Sequence, residues 1–112
     1  MVRKCPCTGT VKGDAIEGEV IQRVWRGNRL PVTSVKGHVG HLMGASGLFN
    51  ALVAYESSKS GRVPPICRHD GGMLNVDFFV TQSAAALVPG GPVICFSIGF
   101  GGNNVALILG RE

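Results

Sequence analysis

The stretch that decides the fold reads Val35-Lys-Gly-His-Val-Gly-His-Leu-Met-Gly-Ala-Ser-Gly47. It follows a short β-branched run, Pro31–Val35, which has the composition of a buried strand. Behind it, apolar residues recur with helical spacing, which predicts a helix that begins near Gly40 and becomes polar only at Glu56–Gly61, where it ends. Small residues fill the first turns of this predicted helix, where a surface helix would carry charges. We therefore expect it to be packed closely on every side.

A second helix is predicted upstream, at about Ala15–Trp25, and Gly27-Asn28 would end it. Asp14 and Glu17 have the spacing of a capping oxygen followed by an acid, which is typical of a helix N-terminus. The apolar residues that share one face of this helix are Ile16, Val20, Ile21 and Val24.

The remaining elements are predicted strands. Arg62–Pro65 leaves the long helix in an extended form, and Asn75–Val80 has some strand character. Two apolar runs, Val93–Ile98 and Val105–Leu109, predict strands joined by a glycine-rich hairpin loop, Gly99–Asn104. Helices and strands that follow one another in this order predict an α/β fold.

Length and composition limit the functions to consider. The chain has 112 residues, which predicts one domain or part of one. Charged residues make up 16% of it, against roughly 25% in an ordinary soluble domain, and it contains 17 glycines. Low charge with much glycine favours a piece that packs against more protein. The net charge is +4, but the basic residues are scattered, so we expect no nucleic acid partner.

The chain contains no apolar stretch of the ~20 residues that a membrane span needs, and no signal-peptide core follows its N-terminus. Its cysteines are too few for a disulfide scaffold at this length; they are Cys5, Cys7, Cys67 and Cys95. Cys95 lies in an apolar run and is expected to be a small core residue. We expect a reduced, intracellular protein, either cytoplasmic or organellar.

His41 is the central candidate for chemistry. We predict it at the first turn of an apolar helix, where the positive end of the helix dipole disfavours imidazolium. A neutral histidine there could donate a hydrogen bond to a developing oxyanion, or it could simply cap its own helix. Lys36 precedes the same helix and is either a site residue or an ordinary surface lysine.

Two further groups of residues are candidates for binding. Cys5, Cys7, His38 and His41 could bind zinc, although their spacing is not a standard ligand pattern. In the loop Gly99-Phe100-Gly101-Gly102, the glycines would let the backbone approach a ligand while Phe100 could act as a gate. The loop is not a dinucleotide fingerprint, which needs a strand-to-helix turn. We expect no cofactor and no metal.

Together, three segments resemble the β-ketoacyl-acyl-carrier-protein synthases, in the same order as in that family. Thr8–Glu17 resembles the family segment His-Gly-Thr-Gly-Thr-x-x-Gly-Asp-x-x-Glu. Val35–Gly47 resembles Lys-x-x-x-Gly-His-x-x-Gly-Ala-Ala-Gly, and Ser97–Asn104 resembles Ser-Phe-Gly-Phe-Gly-Gly-Thr-Asn. Pro64-Pro65 stands where the family commonly has two prolines.

This resemblance implies the C-terminal part of the thiolase-like αβαβα layered fold. Residues 8–112 would form the C-terminal domain, after a divergent segment, 1–7. The family joins an acyl group to malonyl-carrier protein by a decarboxylative Claisen condensation. By match, His41 would be one of two histidines that stabilise the enolate oxygen, Lys36 would support the hydrogen bonding of the site, and Phe100 would be the gate, its backbone N–H joining the oxyanion hole.

The implied partners are acyl carrier protein, which presents acyl and malonyl thioesters, and either the missing N-terminal half or a complete synthase subunit. The full enzyme would be a dimer. Two departures limit the resemblance: Pro6 stands where the family has its other histidine, and no cysteine here has the sequence context of the nucleophile. We therefore expect no turnover by this chain alone. The alternative is a non-catalytic partner subunit, similar to a chain-length factor.

Overall fold

The computed structural model describes residues 2–4, 10–26, 31–67, 79–80, 85–86 and 91–110. Several sequence predictions fall on residues outside these ranges: Gly27-Asn28 after the first helix, the stretch Cys5-Pro6-Cys7, and most of Asn75–Val80. The first helix itself ends at Val24, close to the predicted Trp25.

Within the described ranges the chain forms α-helices, two short 3-10 turns and strands. The helices are α1, Val11–Val24, α2, Lys36–Val39, and α3, Ser46–Ser60, and the 3-10 turns are Met43–Ala45 and Phe100–Gly102. The strands are β1, Val2–Lys4, β2, Pro31–Thr33, β3, Arg62–Val63, β4, Phe79–Val80, β5, Ala85–Ala86, β6, Val93–Ile98, and β7, Asn104–Leu109.

The main sheet has the strand order β4-β2-β1-β6-β7. Strand β1 lies at its centre and runs parallel to both neighbours, with Lys4 opposite Thr33 of β2 and Cys95 of β6. Strand β4 is parallel to β2, whereas β7 is antiparallel to β6. The parallel strands therefore all end at the same edge of the sheet. Strands β3 and β5 pair antiparallel in a separate small sheet.

Different parts of the chain pack on the two faces of this sheet. Ala54 of α3 packs with Val63, Val93 and Cys95 in the buried core, and Leu109 lies against this cluster. On the neighbouring position of β6, Phe96 meets Trp25, the residue after α1, edge-on with ring centroids 6.5 Å apart. Since successive residues of a strand point to opposite faces, α3 and the end of α1 lie on opposite sides of the sheet. The α/β prediction is confirmed.

Several predicted strands are also confirmed. Strand β6 has the predicted bounds, and β7 begins at Asn104 rather than Val105. Strand β2 is buried as expected; it ends at Thr33, and Ser34 and Val35 remain buried beyond it. Cys95 is a core residue, and its thiol donates a hydrogen bond to the backbone carbonyl of Asn50 at 3.5 Å.

The start of α1 differs from the prediction. The helix begins at Val11, not at Ala15, because Thr10 is its N-cap and accepts a hydrogen bond at its hydroxyl oxygen from the Gly13 N–H at 3.2 Å. Threonine is a good N-cap, and it places Asp14 inside the first turn rather than at the cap. The predicted apolar face is only partly used: Ile21 is buried, while Ile16, Val20 and Val24 are exposed.

The long central helix was also predicted wrongly at its start. The chain after Val35 forms the single turn α2, breaks at Gly40, passes through the 3-10 turn and enters α3 only at Ser46. The break has a backbone cause, because Gly40 has φ 75° and ψ −173° and Met43 has φ 50°. Neither conformation belongs to a right-handed helix.

Helix α3 is packed on one side rather than on every side. Leu48 and Leu52 are 70% and 55% exposed, and a Cβ added at Gly47 would meet no atom within 4 Å. The polar end does not simply emerge into solvent either. Ser57 and Ser58 are buried, and the Ser58 hydroxyl donates to the Gly91 carbonyl at 3.0 Å.

Candidate functional site

The predicted site residues follow the carboxyl ends of parallel strands. Lys36 and His41 come after β2, and the loop Gly99–Gly102 comes after β6. These two strands flank β1 on either side. Ligands of open α/β sheets bind in the crevice outside the carboxyl ends of the strands, so the topology gathers both groups at the edge where such a site forms. The stretch that follows β1 begins at Cys5 and is outside the described residues.

The two residues that precede Lys36 are buried. Ser34 and Val35 are 4% and 6% exposed. The Ser34 hydroxyl accepts a hydrogen bond from the Lys36 N–H at 3.4 Å, and the Val35 carbonyl accepts from the Val39 N–H at 3.1 Å. Lys36 itself is half-buried. The lysine therefore begins a short helical turn whose backbone is hydrogen-bonded to the buried residues before it.

Gly40 ends that turn and redirects the chain toward His41. Its N–H donates to the Lys36 carbonyl at 2.8 Å, and its φ and ψ lie in a region that is essentially restricted to glycine. A glycine directly before His41 is therefore required by the backbone.

His41 is exposed and lies in the irregular segment between Gly40 and the 3-10 turn, not in a helix. Its Nδ1 accepts a hydrogen bond from the Met43 N–H at 3.0 Å. This bond requires an unprotonated Nδ1, so the neutral ring carries its proton on Nε2. The prediction attributed the donor character of His41 to a helix dipole; in the structure a single backbone amide sets the tautomer, and Nε2–H is the donor.

The backbone conformation in which Met43 makes this contact is energetically unfavourable. Its φ of 50° is uncommon for a residue with a side chain. Backbone strain of this kind clusters at functional sites, where the surrounding structure maintains it. Sequence reasoning missed Met43, and no signal in the sequence marks a methionine for this role.

The hairpin loop at the end of β6 is exposed and internally bonded. The Gly99 N–H donates to the Asn103 carbonyl at 2.8 Å, and the Asn103 side-chain amide donates to the Phe100 carbonyl at 3.5 Å. Gly101 and Gly102 have φ of 79° and 82°. The Phe100 side chain is fully exposed. An exposed ring on a glycine-rich turn is free to change its orientation.

His38, from the zinc alternative, makes a different contact. Its Nε2 lies 2.8 Å from the Pro65 carbonyl oxygen. Within the described ranges no group of three or more histidine, cysteine, aspartate or glutamate side chains could hold a metal ion. Cys5 and Cys7 are not described.

The contact between α2 and the segment Pro64–Cys67 was not predicted. The Thr33 hydroxyl donates to the Pro64 carbonyl, and a Cβ added at Gly37 would meet the Cys67 carbonyl oxygen at 2.5 Å. Gly37 was the available signal, because a glycine inside a helical turn can mark a close approach of another backbone.

Across the described part of the chain, the helices are all too short or too polar to cross a membrane.

The sheet is largely parallel, with α3 on one face, Trp25 on the other and polar residues at its carboxyl edge. This arrangement is typical of the α/β domains that bind ligands at that edge. Comparison with known families narrows this class. Residues 2–70 match the family described as "Beta-ketoacyl synthase, C-terminal domain". The chain belongs to the β-ketoacyl synthase family and corresponds to its C-terminal domain.

Individual relatives agree with this assignment. The chain is 32% identical over 108 residues to 3-oxoacyl-[acyl-carrier-protein] synthase 2 of Mycobacterium bovis, an alignment that covers 93% of this chain and 25% of that protein. It is 40% identical over 65 residues to the highly reducing polyketide synthase anuA of Penicillium roqueforti, covering 55% of this chain and 3% of that protein. The chain thus spans about a quarter of the length of the synthase it matches.

Solved structures agree on the fold. The ketosynthase from module 1 of the bacillaene synthase of Bacillus amyloliquefaciens FZB42 superposes with a TM-score of 0.86 and 24% identity, covering 99% of this chain and 23% of that one. Ketosynthase twelve of the bacillaene polyketide synthase of Bacillus amyloliquefaciens gives a TM-score of 0.84 over 93% of this chain and 21% of that one, also at 24% identity. The predicted fold, the C-terminal part of the thiolase-like layered fold, is confirmed.

Proposed function

We propose that this domain contributes His41 and Lys36 to the active site of a condensing enzyme of fatty acid or polyketide synthesis. The reaction would join an acyl thioester to a malonyl group carried by acyl carrier protein. The observation that carries the proposal is the hydrogen bond from Met43 N–H to His41 Nδ1, which leaves Nε2–H as a donor at the carboxyl edge of the sheet. The relatives named as a 3-oxoacyl-acyl-carrier-protein synthase and a polyketide synthase support the reaction class.

The chemistry needs such a donor. When a malonyl thioester loses carbon dioxide, the electron pair of the broken C–C bond forms an enolate, and negative charge develops on the thioester oxygen. A preorganised N–H directed at that oxygen stabilises the charge where it forms. The enolate carbon then attacks the carbonyl of an acyl group held as a thioester on a cysteine; a C–C bond forms, the C–S bond breaks, and the cysteine leaves as a thiolate.

Lys36 and the hairpin loop would serve this reaction in different ways. Lys36 begins the turn that leads to His41, and its charge would support the hydrogen bonds of the site. Phe100 would gate the entry of the acyl chain, and its backbone N–H would join the oxyanion hole. Its full exposure on a glycine-rich turn supports a gating role.

The nucleophilic cysteine would come from a complementary N-terminal half or from a complete synthase subunit, and the assembled enzyme would be a dimer.

The division of the chain into a divergent segment 1–7 and a synthase domain 8–112 remains a prediction. Strand β1 and the family match both begin at residue 2. Exposed apolar residues on α3, such as Leu48 and Leu52, support a further protein layer against this helix. We place the enzyme inside the cell, in the cytoplasm or an organelle.

A second candidate is a non-catalytic partner subunit. Pro6 favours it, because it stands where the family has its other histidine and proline cannot donate a hydrogen bond. In that case the chain would shape the pocket of a complete synthase without taking part in the condensation.

The test supplies the chain with the N-terminal half of a relative and measures carbon dioxide release and the condensed product from malonyl and acyl thioesters. We expect His41→Ala to lower kcat by about 10²–10³-fold, which is the cost of removing one oxyanion donor. Arg23→Ala, which removes an exposed side chain of α1 paired with Glu19, is the control and should leave kcat unchanged. Unchanged turnover in His41→Ala would remove His41 from the mechanism. Absence of turnover in every such pairing would favour the non-catalytic partner.

A further inference from the structure

His38 is placed to do more than occupy a solvent-exposed turn. It belongs to α2, the turn that begins with Lys36 and ends directly before Gly40 and His41. Its imidazole Nε2 lies 2.8 Å from the carbonyl oxygen of Pro65, which is distant in sequence and follows β3. A carbonyl oxygen can only accept, so Nε2 carries the proton in this contact. Both the neutral Nε2–H tautomer and the imidazolium can make this bond.

This hydrogen bond belongs to a line of contacts between two segments. The Thr33 hydroxyl, fully buried at the end of β2, donates to the Pro64 carbonyl. The backbone of Gly37 lies so close to Cys67 that a Cβ would meet the Cys67 carbonyl oxygen at 2.5 Å. His38 then reaches Pro65. The segment Pro64–Cys67 therefore lies alongside the stretch from Thr33, at the end of β2, to His38 in α2.

We propose that His38 is a positioning residue of the active site: it holds the turn that carries Lys36 and His41 against the segment Pro64–Cys67. This inference rests on the proposed function of His41. A single turn of helix has few internal hydrogen bonds and is marginal without outside contacts. The direction in which Gly40 sends the chain to His41 depends on how that turn is held, so the loss of the His38 contact loosens the placement of the Nε2–H donor.

The design compares two substitutions of similar size in the complete chain. His38→Gln keeps a side-chain N–H that can reach the Pro65 carbonyl, whereas His38→Leu fills comparable volume without a donor. The first readout is amide hydrogen exchange at Val39 and Gly40, whose N–H groups donate to the carbonyls of Val35 and Lys36 and close the turn of α2. The second is the imidazole ¹⁵N spectrum of His41, which reports whether Nδ1 still accepts from Met43.

We expect His38→Leu to speed exchange at the α2 amides about fivefold, the equivalent of one ordinary hydrogen bond, and to shift the His41 Nδ1 resonance. His38→Gln should restore both to within about twofold. Amides of α1 are the internal control and should be unchanged in both variants. Exchange in the leucine variant equal to that of the unmodified chain would overturn the proposal. Equal disturbance in both variants would also overturn it, since imidazole packing and not the hydrogen bond would then be responsible.

Failure of the proposed function would look different. In the assembly with a complementary half, His38→Leu should lower kcat with little change in the KM for the malonyl thioester, and His38→Gln should rescue it. If His41→Ala does not change kcat in that assembly, the role of His41 is wrong even where the exchange data support the contact. If exchange does not respond to His38→Leu, the positioning role is wrong whatever the turnover.

Discussion

Two segments at the carboxyl edge of the sheet differ in how they are held. The turn α2 follows the buried pair Ser34 and Val35, and its Gly37 and His38 contact the segment Pro64–Cys67, which is far away in sequence. The hairpin loop Gly99–Asn104 has local hydrogen bonds, Gly99 to Asn103 and Asn103 to Phe100, and its residues are exposed.

This difference matches the two tasks proposed for them. A group that stabilises a developing charge must be held in one orientation before the reaction begins, and long-range contacts provide that. A gate must change orientation at low cost, and a segment with few buried contacts and local hydrogen bonds opens easily. His41 follows the turn that has long-range contacts, whereas Phe100 lies on the loop whose hydrogen bonds are local.

The largest expected effect tests the constrained segment. Gly40→Ala places a Cβ in a backbone conformation that is essentially restricted to glycine, and we expect it to lower the free energy of unfolding by about 2 kcal/mol. Urea denaturation of the complete chain measures this. Gly44→Ala is the matched control: a Cβ would meet no atom within 4 Å at either glycine, but Gly44 does not have a positive φ. We expect a change within about 0.5 kcal/mol for the control. If Gly40→Ala left the free energy of unfolding unchanged, the backbone before His41 would not be constrained as described.

A smaller effect is expected on the hairpin side. Gly101 has φ 79° and ψ 12°, a left-handed conformation that costs a residue with a Cβ about 1 kcal/mol. Gly101→Ala should therefore destabilise the chain less than Gly40→Ala in the same urea titrations. Its effect on amide exchange should be confined to the loop and the adjoining ends of β6 and β7. Faster exchange in α2 of this variant would show that the two segments are coupled, contrary to the comparison.

The sequence predicts best where a pattern is local and continuous. Strand β6 is an unbroken apolar run, and the glycines after it announce the turn, so the hairpin is found almost to the residue. Strand β1 is the opposite case. Val2–Lys4 has no strand pattern of its own, and it becomes the centre of the sheet only because β2 and β6 pair with it on both sides.

The sequence is enough to propose candidate site residues, but it does not predict the geometry in which the structure holds them. The glycine before His41 and the histidine itself are visible in the sequence, yet an apolar run cannot reveal that the helix breaks at Gly40 and resumes at Ser46. The contact of His38 with Pro65 joins segments separated by the whole of α3, and spacing along one helix carries no information about it. Sequence periodicity describes faces of single elements, whereas these features depend on how two elements meet.

The smallest effect on stability is expected for a substitution at Phe100, which should nevertheless change the rate of acyl loading. Its side chain is fully exposed, so Phe100→Ala should change the free energy of unfolding by no more than about 0.5 kcal/mol. Val105→Ala is the matched control, since Val105 is exposed on the same hairpin and should be equally neutral. In the assembly with a complementary half, only Phe100→Ala should alter the rate at which the acyl chain is loaded, because the gate would be lost while the fold stays intact. Identical acylation kinetics in the two variants would count against the gate and would leave the hairpin loop with a purely structural role.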